Sequence, residues 1–153
     1  MDALNIHGPM RDLVVVGLGN SELEPMVENL AKAQDRRIEP NPYPEKGFYY
    51  RSDHFNLAKK GVPMLYAKGG IDHFEKGESY GREGNLDYVT HRYHKPADEY
   101  GDWWDLRGMN QDLNLFFRLG QEVANSEVWP NWYPGNEFRS IRDESLKLRV
   151  YTE

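Results

Sequence analysis

The sequence predicts an α/β fold, in which a buried sheet is covered by amphipathic helices. A continuous β-branched run at 12–16, closed by Gly17 and Gly19, is typical of a strand buried on both faces. Apolar residues at helical spacing follow it at once, and a second apolar run occupies 62–67. A long helical stripe at 105–125 completes the pattern. Strands that alternate with helices in this way favour the α/β class.

Length and composition predict a single domain over residues 1–153. The net charge is −6 and the basic residues are scattered, which argues against a nucleic-acid partner. With Cys 0, any zinc would have to be held by His, Asp and Glu. No apolar run approaches the roughly 20 residues of a membrane span, and the start lacks the features of a secretory signal. Because the chain begins inside an apparent strand, we expect it to be the later part of something longer.

The turn after the first strand contains Gly17-Leu18-Gly19, which suggests a dinucleotide-binding fingerprint. Glu22, however, stands where that fingerprint needs a small residue for close helix packing. Ser21 and Glu24 have the spacing of a capping box, and the following apolar periodicity predicts an amphipathic helix through about Gln34. The segment is therefore interpreted as structural.

The middle of the chain is predicted to alternate between connectors and short elements. Closely spaced prolines predict an extended connector at 39–47, and Ser52 or Asp53 can cap a short helix that Gly61 ends. The apolar run at 62–67 predicts a strand, and the aperiodic segment at 68–90 predicts a long loop.

The last third is predicted to be mainly helical. The apolar stripe predicts a helix at about 105–125, with Trp104, Leu106, Met109, Leu113, Phe116, Phe117, Leu119 and Val123 on its apolar face. A covering loop is expected at 129–135, and a surface helix or strand at 139–153.

His94 is the first candidate for chemistry. Neutral imidazole is the commonest transition-metal ligand, and a nearby carboxylate such as Asp98 often fixes its tautomer. Pro96 disfavours helical backbone at Lys95, which predicts a stiff, non-helical loop. The alternative is a histidine that bonds Asp98 in a polar loop and has no other role.

Three segments in order carry a resemblance to a known family. They are Asp2 within Met1-Asp2-Ala3-Leu4-Asn5, then Arg51-Ser52-Asp53-His54 leading to Gly61-Val62-Pro63, and then Tyr93-His94-Lys95-Pro96-Ala97-Asp98-Glu99-Tyr100 before a long helix. Over about residues 1–140 the chain resembles the C-terminal half of a di-zinc exopeptidase of the bacterial aminopeptidase and glutamate carboxypeptidase type. The resemblance implies a mixed, mostly parallel sheet flanked by helices, incomplete relative to the full domain.

The resemblance also implies roles for individual residues. Asp2 and His94 would bind one of the two zinc ions. Tyr93 would stabilise the oxyanion or line the side-chain pocket. Ala3 would lie on the pocket wall, and Asp98 would brace the site or its loop. Near-site, substrate-binding positions are implied for Ser52, Asp53 and His54, with a helix cap and a buried hydrogen-bond network as the alternative.

The other family ligands and the general-base Glu would lie before Asp2. We therefore expect weak zinc binding and little hydrolysis by the isolated chain. We also expect a homo-oligomer or association with a complementary N-terminal piece, peptide substrates for the intact enzyme, and a periplasmic or extracellular location. One alternative is a non-catalytic binding or scaffold module on the same fold, and another is a single-zinc enzyme that recruits His91 or His54.

Overall fold

The computed structural model describes residues 4–149 and contains a small three-stranded mixed sheet flanked by helices. The strands are β1 (Asp12–Val16), β2 (Arg37–Pro40) and β3 (Tyr66–Gly69), in the order β2-β1-β3. β2 runs parallel to β1 and β3 runs antiparallel to it. All five residues of β1 are buried, as its apolar run predicts. The predicted α/β class is confirmed.

Six α-helices cover or flank the sheet in the described part of the chain: α1 (Glu24–Lys32), α2 (Phe48–Arg51), α3 (His54–Ala58), α4 (Gly77–Asp87), α5 (Leu106–Ala124) and α6 (Arg139–Arg149). A 3₁₀ turn lies at Pro44–Lys46 and a π-helical turn at Tyr88–Arg92. The predictions of α1 and α5 are confirmed. Over residues 4–149, no helix has both the length and the apolar character needed to span a membrane.

The extended connector predicted at 39–47 is wrong at both ends, because Glu39 and Pro40 belong to β2 and a 3₁₀ turn occupies Pro44–Lys46. Pro40 pairs with Val15, and this is possible because β2 lies at the edge of the sheet, where a residue without an N–H loses no ladder bond on its open side. The strand predicted at 62–67 also shifts and begins only at Tyr66. Val62 instead donates its N–H to Leu57 and closes the end of α3, with Gly61 at φ +80°.

The long loop predicted at 68–90 is wrong, since most of it forms α4 and the π-helical turn. The sequence of α4 has no apolar periodicity, because this helix packs against its neighbours through glycine residues. Gly81 is buried against the backbone of Ile71, and a methyl group on Gly84 would lie 2.9 Å from Nδ1 of His7. A helix that approaches its neighbours through missing side chains leaves no hydrophobic signature.

The core forms two clusters of buried residues. The larger joins the sheet to α1 and α5 and contains Leu13, Val15, Val27, Leu30, Ala31, Ala67, Leu115 and Leu119. The smaller contains Ala58, Trp132 and Phe138. Trp132, in the predicted covering loop, is fully buried and donates its Nε1–H to the Gly61 carbonyl at 3.1 Å. The loop therefore supplies a core residue as well as a cover.

The buried face of α5 differs from the predicted stripe. Its buried residues are Gly108, Asp112, Leu115 and Leu119. Asp112 forms a completely buried ion pair with Arg36 at 2.8 Å, and burial raises the pKa of this carboxyl group. By contrast Leu106, Leu113 and Phe117 are 47%, 37% and 65% exposed. Their spacing of seven and four residues places these three on one face of the helix, away from its buried residues, and we call them the outer stripe of α5.

Candidate functional site

His94 lies directly after the π-helical turn, in an exposed, non-helical turn. Its backbone has φ +57°, a left-handed conformation that L-residues seldom adopt, although His adopts it more often than most. The imidazole stacks on the Tyr93 ring with a centroid separation of 3.9 Å and an interplanar angle of 21°. The predicted non-helical setting of His94 is confirmed, and Tyr93 is its immediate aromatic neighbour.

Short hydrogen-bonded links tie this turn to the π-helical turn before it. The Tyr93 N–H bonds the Tyr88 carbonyl at 2.8 Å, and the Lys95 ammonium donates to the Thr90 carbonyl. Asp98 accepts from the Tyr88 hydroxyl at 2.9 Å. This last bond joins the turn to the π-helical turn, as a loop-bracing residue would. That Asp98 acts on the His94 imidazole stays a prediction.

The segment is anchored to the rest of the chain through Arg92. Its guanidinium lies 4.5 Å from the centre of a ring of Trp103 and 3.2 Å from the Asp87 carboxylate. Trp103 in turn lies 6.1 Å from the His7 ring. Because His7 pairs with Asp105 at the start of α5, these contacts connect the His94 segment to residues 5–8.

Residues 5–8 lie at the end of the sheet where β1 begins, which we call the Asp12 end. Asp12 accepts the N–H groups of Ile71 at 3.0 Å and Asp72 at 2.8 Å. Asp72 pairs with Arg37 at 2.7 Å and with Arg11 at 3.2 Å. The hydrogen bonds from Arg37 and Arg11 lower the pKa of Asp72 below its ordinary value. A charged network thus fixes this end.

Ser52, Asp53 and His54 occupy a different place. The Ser52 hydroxyl donates to the Phe48 carbonyl at 2.9 Å, whereas Asp53 stands at the N-cap of α3 without a side-chain capping bond. His54 lies between the rings of Tyr49 at 4.9 Å and Tyr66 at 5.3 Å. Burial lowers the pKa of His54, and its Nε2 finds no hydrogen-bond partner among residues 4–149.

These three residues lie near the end of β1 at Val16, which we call the Val16 end. His54 contacts Tyr66, and Tyr66 pairs with Val16. At the Asp12 end, Leu13 pairs with Gly69. A strand of five residues spans about 13 Å. The structure therefore does not bring Ser52, Asp53 and His54 together with the anchors of the His94 segment, and their predicted substrate-binding role stays a prediction.

A cavity of about 350 Å³ opens at the Val16 end, beyond the carboxyl ends of the parallel strands β1 and β2. Its walls include Gly17, Phe48, Tyr49, Tyr50, Asn136 and Phe138. Burial raises the pKa of Tyr49 to about 12, and its hydroxyl lacks a hydrogen-bond partner in the described part of the chain. Aromatic rings form one part of the cavity wall, and glycine, proline, asparagine, glutamate and aliphatic residues form the rest.

The glycine turn after β1 does not form a phosphate site. The Glu24 carboxylate accepts the backbone N–H groups of Gly19 at 2.9 Å, Asn20 at 2.7 Å and Ser21 at 3.2 Å. A bound phosphate would need those same donors at the start of the helix. The position for an anion is therefore filled from within the chain, which supports rejecting the dinucleotide interpretation.

Sequence reasoning missed His73, a fully buried histidine between β3 and α4. Its Nδ1 accepts the N–H groups of Glu75 at 3.0 Å and Lys76 at 3.1 Å. Burial lowers the pKa of this imidazole. The sequence feature that could have indicated it is its position next to Asp72, four residues after the end of a strand. That segment was interpreted as a loop.

The described residues do not by themselves form a zinc site. Between residues 4 and 149, no three His, Cys, Asp or Glu side chains are grouped so that they could hold a metal ion. Of the two zinc ligands that the resemblance implies, His94 lies in this range. His54 and His91 do not complete a metal site around it. Asp2 and Ala3, the predicted ligand and pocket-wall residue, lie outside the described residues.

Comparison with known proteins identifies a family for the chain. Neither the curated proteins nor the solved structures yielded a significant match to the chain. The family model described as peptidase family M28 matches residues 1–115, a range that includes Asp2, Tyr93, His94 and Asp98. Since the match covers well over half of the chain, the chain belongs to peptidase family M28, a family of zinc-dependent metallopeptidases.

Proposed function

We propose that this chain is the part of a zinc exopeptidase that supplies Asp2 and His94 to one zinc ion and Tyr93 to the bound substrate. The assembled enzyme would remove N-terminal residues from peptides by means of a metal-activated water. The observation that carries the proposal is the family match across 1–115, together with the exposed, non-helical turn that presents His94.

The surroundings of His94 suit a metal ligand. Its ring is exposed, so that an ion can approach it, and stacking on Tyr93 restricts the orientation of the imidazole. Tyr93 is 38% exposed and adjoins the ligand, which is compatible with a hydroxyl that reaches a bound peptide.

We further propose that the chain hydrolyses peptides only when a complementary part of the peptidase domain is present. The resemblance assigns the general base and the remaining ligands to a part that precedes Asp2, and His94 alone cannot hold zinc tightly. The outer stripe of α5 supports this, because Leu106, Leu113 and Phe117 form an apolar face without a cover in the described residues. We propose that the complementary part packs against the outer stripe of α5.

A non-catalytic binding or scaffold module is the second candidate. The absence of a three-ligand group within residues 4–149 favours it. The two candidates differ in what happens on addition of the complementary part, since only the first then gains peptidase activity.

Zinc titration by calorimetry, carried out on the chain mixed with the complementary part, tests the first proposal. His94→Asn should weaken zinc binding by more than about tenfold, since a ligand is lost. Asn is used because it tolerates the left-handed backbone of position 94. His91→Asn, three residues earlier and also exposed, is the matched control and should keep the wild-type affinity. Equal affinities for both variants would exclude His94 as the ligand.

Activity separates the two candidates. The chain alone should not release nitroaniline from leucine p-nitroanilide, whereas the chain mixed with a separately produced complementary part should do so. Light scattering on the same samples reports the complex. Complex formation without activity would favour the scaffold module, and a self-associated chain that ignores the added part would contradict the proposed partner.

A further inference from the structure

His73 occupies a junction between three parts of the chain. Its backbone forms isolated bridges with Met10 and with Gly77, the first residue of α4. The Gly77 N–H also bonds the His73 carbonyl at 2.9 Å, and the Arg11 guanidinium donates to that carbonyl at 3.3 Å. His73 therefore links the start of α4 to residues 10 and 11, beside the bonds that the neighbouring Phe74 forms with Pro9 and Arg11.

The hydrogen bonds of the imidazole fix its protonation state. Nδ1 accepts two backbone N–H groups, those of Glu75 and Lys76. An acceptor nitrogen carries no proton, so the neutral ring must hold its proton on Nε2. A protonated, cationic His73 would turn Nδ1 into a donor that faces two other donors, and both bonds would be lost.

Nε2 faces the start of α5. A methyl group on Gly8 would lie 2.6 Å from the His73 Nε2 and 2.8 Å from Oδ2 of Asp105, so that both atoms border the same point. Asp105 caps α5 by accepting the Arg107 N–H at 3.1 Å. Nε2 has no hydrogen-bond partner in the described part of the chain.

The charged and titratable groups around His73 come from every neighbouring element. Lys76 and Glu75 belong to its own turn, Asp105 and Arg107 to the start of α5, and His7 to the segment before β1. Tyr80 of α4 contacts the ring edge-on at 5.0 Å. Burial is the largest influence and lowers the pKa of His73, with Lys76 acting in the same direction and Glu75 and Asp105 opposing it.

The helix α4 itself buries little, and its two ends are held by the turn at His73 and by the contact of Arg92 with Trp103. Gly81 is its one buried residue, and Gly84 touches His7. The helix continues without a break into the π-helical turn and then into Tyr93 and His94. An element with so few buried apolar contacts opens locally at a low free energy. The turn at His73 is thus the natural point at which the segment can be released.

We propose that His73 is a positioning residue, which in its neutral form holds α4 and the π-helical turn in place and, on protonation, releases the segment that presents Tyr93 and His94. Its relevance to catalysis rests on the proposed function, in which that segment supplies a zinc ligand. In mildly acidic solution the predicted ligand would lose its fixed position before the sheet unfolds.

The sign of the effect follows from linkage. The folded-state pKa of His73 lies below its ordinary value of 6.5, so the open form binds a proton that the closed form does not. The closed form is therefore fully favoured above pH 6.5 and becomes less favoured as the pH falls below that value. For one proton, the opening constant rises by up to about tenfold per pH unit in this window.

Amide hydrogen exchange between pH 7.5 and 5.0, corrected for intrinsic rates, tests the proposal. Peptides from 77–94 should show an opening constant that rises below pH 6.5, whereas peptides from α1 should not. In His73→Asn, the amide oxygen can accept the Glu75 and Lys76 N–H groups but does not titrate, and the pH dependence should disappear. A wild-type profile that is flat over 77–94 would overturn the proposal.

Two further measurements keep the result decisive. His7→Gln is the matched control, and loss of the pH dependence in that variant would assign the effect to His7 and overturn the role of His73. If His73→Asn does not fold, nitrogen NMR of the wild type should show His73 protonated on Nε2 and titrating below pH 6.5; protonation on Nδ1 would contradict the proposal. None of these readouts requires zinc or activity, so a failure of the proposed function is recognised separately.

Discussion

The two ends of strand β1 are closed by different kinds of interaction. At the Asp12 end, carboxylates and guanidinium groups carry the contacts, from Asp72 with Arg11 and Arg37 to the buried pair of Arg36 and Asp112. At the Val16 end, aromatic rings do so, with Tyr49, His54 and Phe55 packed edge to face. The same strand therefore passes from an ionic environment into an aromatic one.

The difference shows how one small sheet can serve two purposes. Charge pairs and hydrogen bonds have defined directions, so the Asp12 end can hold the approach to His94 in one arrangement. Aromatic packing is less directional, and at the Val16 end it leaves a cavity of about 350 Å³. We expect substitutions to have larger effects on stability at the ionic end.

The largest effect should come from Arg36→Met. This variant leaves the buried Asp112 carboxylate without its partner, and removing one member of a buried pair typically costs about 3–5 kcal/mol. Urea unfolding measures the loss. The matched control is Arg37→Met, whose side chain is half exposed and pairs with Asp72 at the surface, and it should cost less than about 1 kcal/mol. Similar losses in the two variants would contradict the contrast between buried and exposed pairs.

At the aromatic end, Trp132→Phe should cost about 2 kcal/mol. The ring is fully buried, and the variant loses volume and the Nε1–H bond to Gly61. Trp129→Phe, at an exposed position three residues earlier, should change stability by less than about 0.5 kcal/mol. If the Trp132 variant proves as damaging as Arg36→Met, the two ends do not differ in the expected way.

A smaller effect is expected for Glu24→Gln. An amide replaces a carboxylate that accepts three backbone N–H groups, and a loss of about 1 kcal/mol follows. Glu28→Gln, at an exposed position that pairs with Lys32, should be within about 0.5 kcal/mol of wild type. Thermal unfolding of the pair distinguishes the two positions, and equal melting temperatures would mean that the turn does not depend on the carboxylate.

The smallest effect at neutral pH should come from Tyr49→Phe, which removes a buried hydroxyl that lacks a partner in the described residues. Stability at pH 7 should stay within about 1 kcal/mol of wild type or rise. In the wild type, burial raises the pKa of Tyr49 from 10.0 to about 12, so stability should fall as the pH rises through that interval. The Tyr49→Phe variant should not lose stability over this alkaline interval. The control Tyr50→Phe, at an exposed site, should lose stability there as the wild type does.

The parts of the fold that were predictable from the sequence are those with strong periodic signals. The strand β1 and the helices α1 and α5 bury continuous apolar faces, and their residues show it. The helix α4 has no such face, because it packs through Gly81 and Gly84, and β2 contains a proline that only an edge position tolerates. Packing through absent side chains and edge geometry are tertiary properties, which a local pattern does not contain.

The candidate site divides in the same way. The sequence around His94 carries a recognisable motif and a proline that predicts its non-helical turn. The separation of Ser52, Asp53 and His54 from that segment depends on the antiparallel pairing of β1 with β3, which no motif encodes. His73 was missed because its importance comes from two backbone donors that only the folded turn brings to Nδ1.

The backbone at His94 limits which residues natural variants can carry there. With φ at +57°, glycine, asparagine and aspartate are accommodated at little conformational expense, whereas β-branched residues are strongly disfavoured. Relatives that have abandoned metal chemistry should therefore drift toward Asn, Asp or Gly at this position and seldom toward Val or Ile. The residue found there in a newly read relative would then report both its catalytic history and the persistence of this turn.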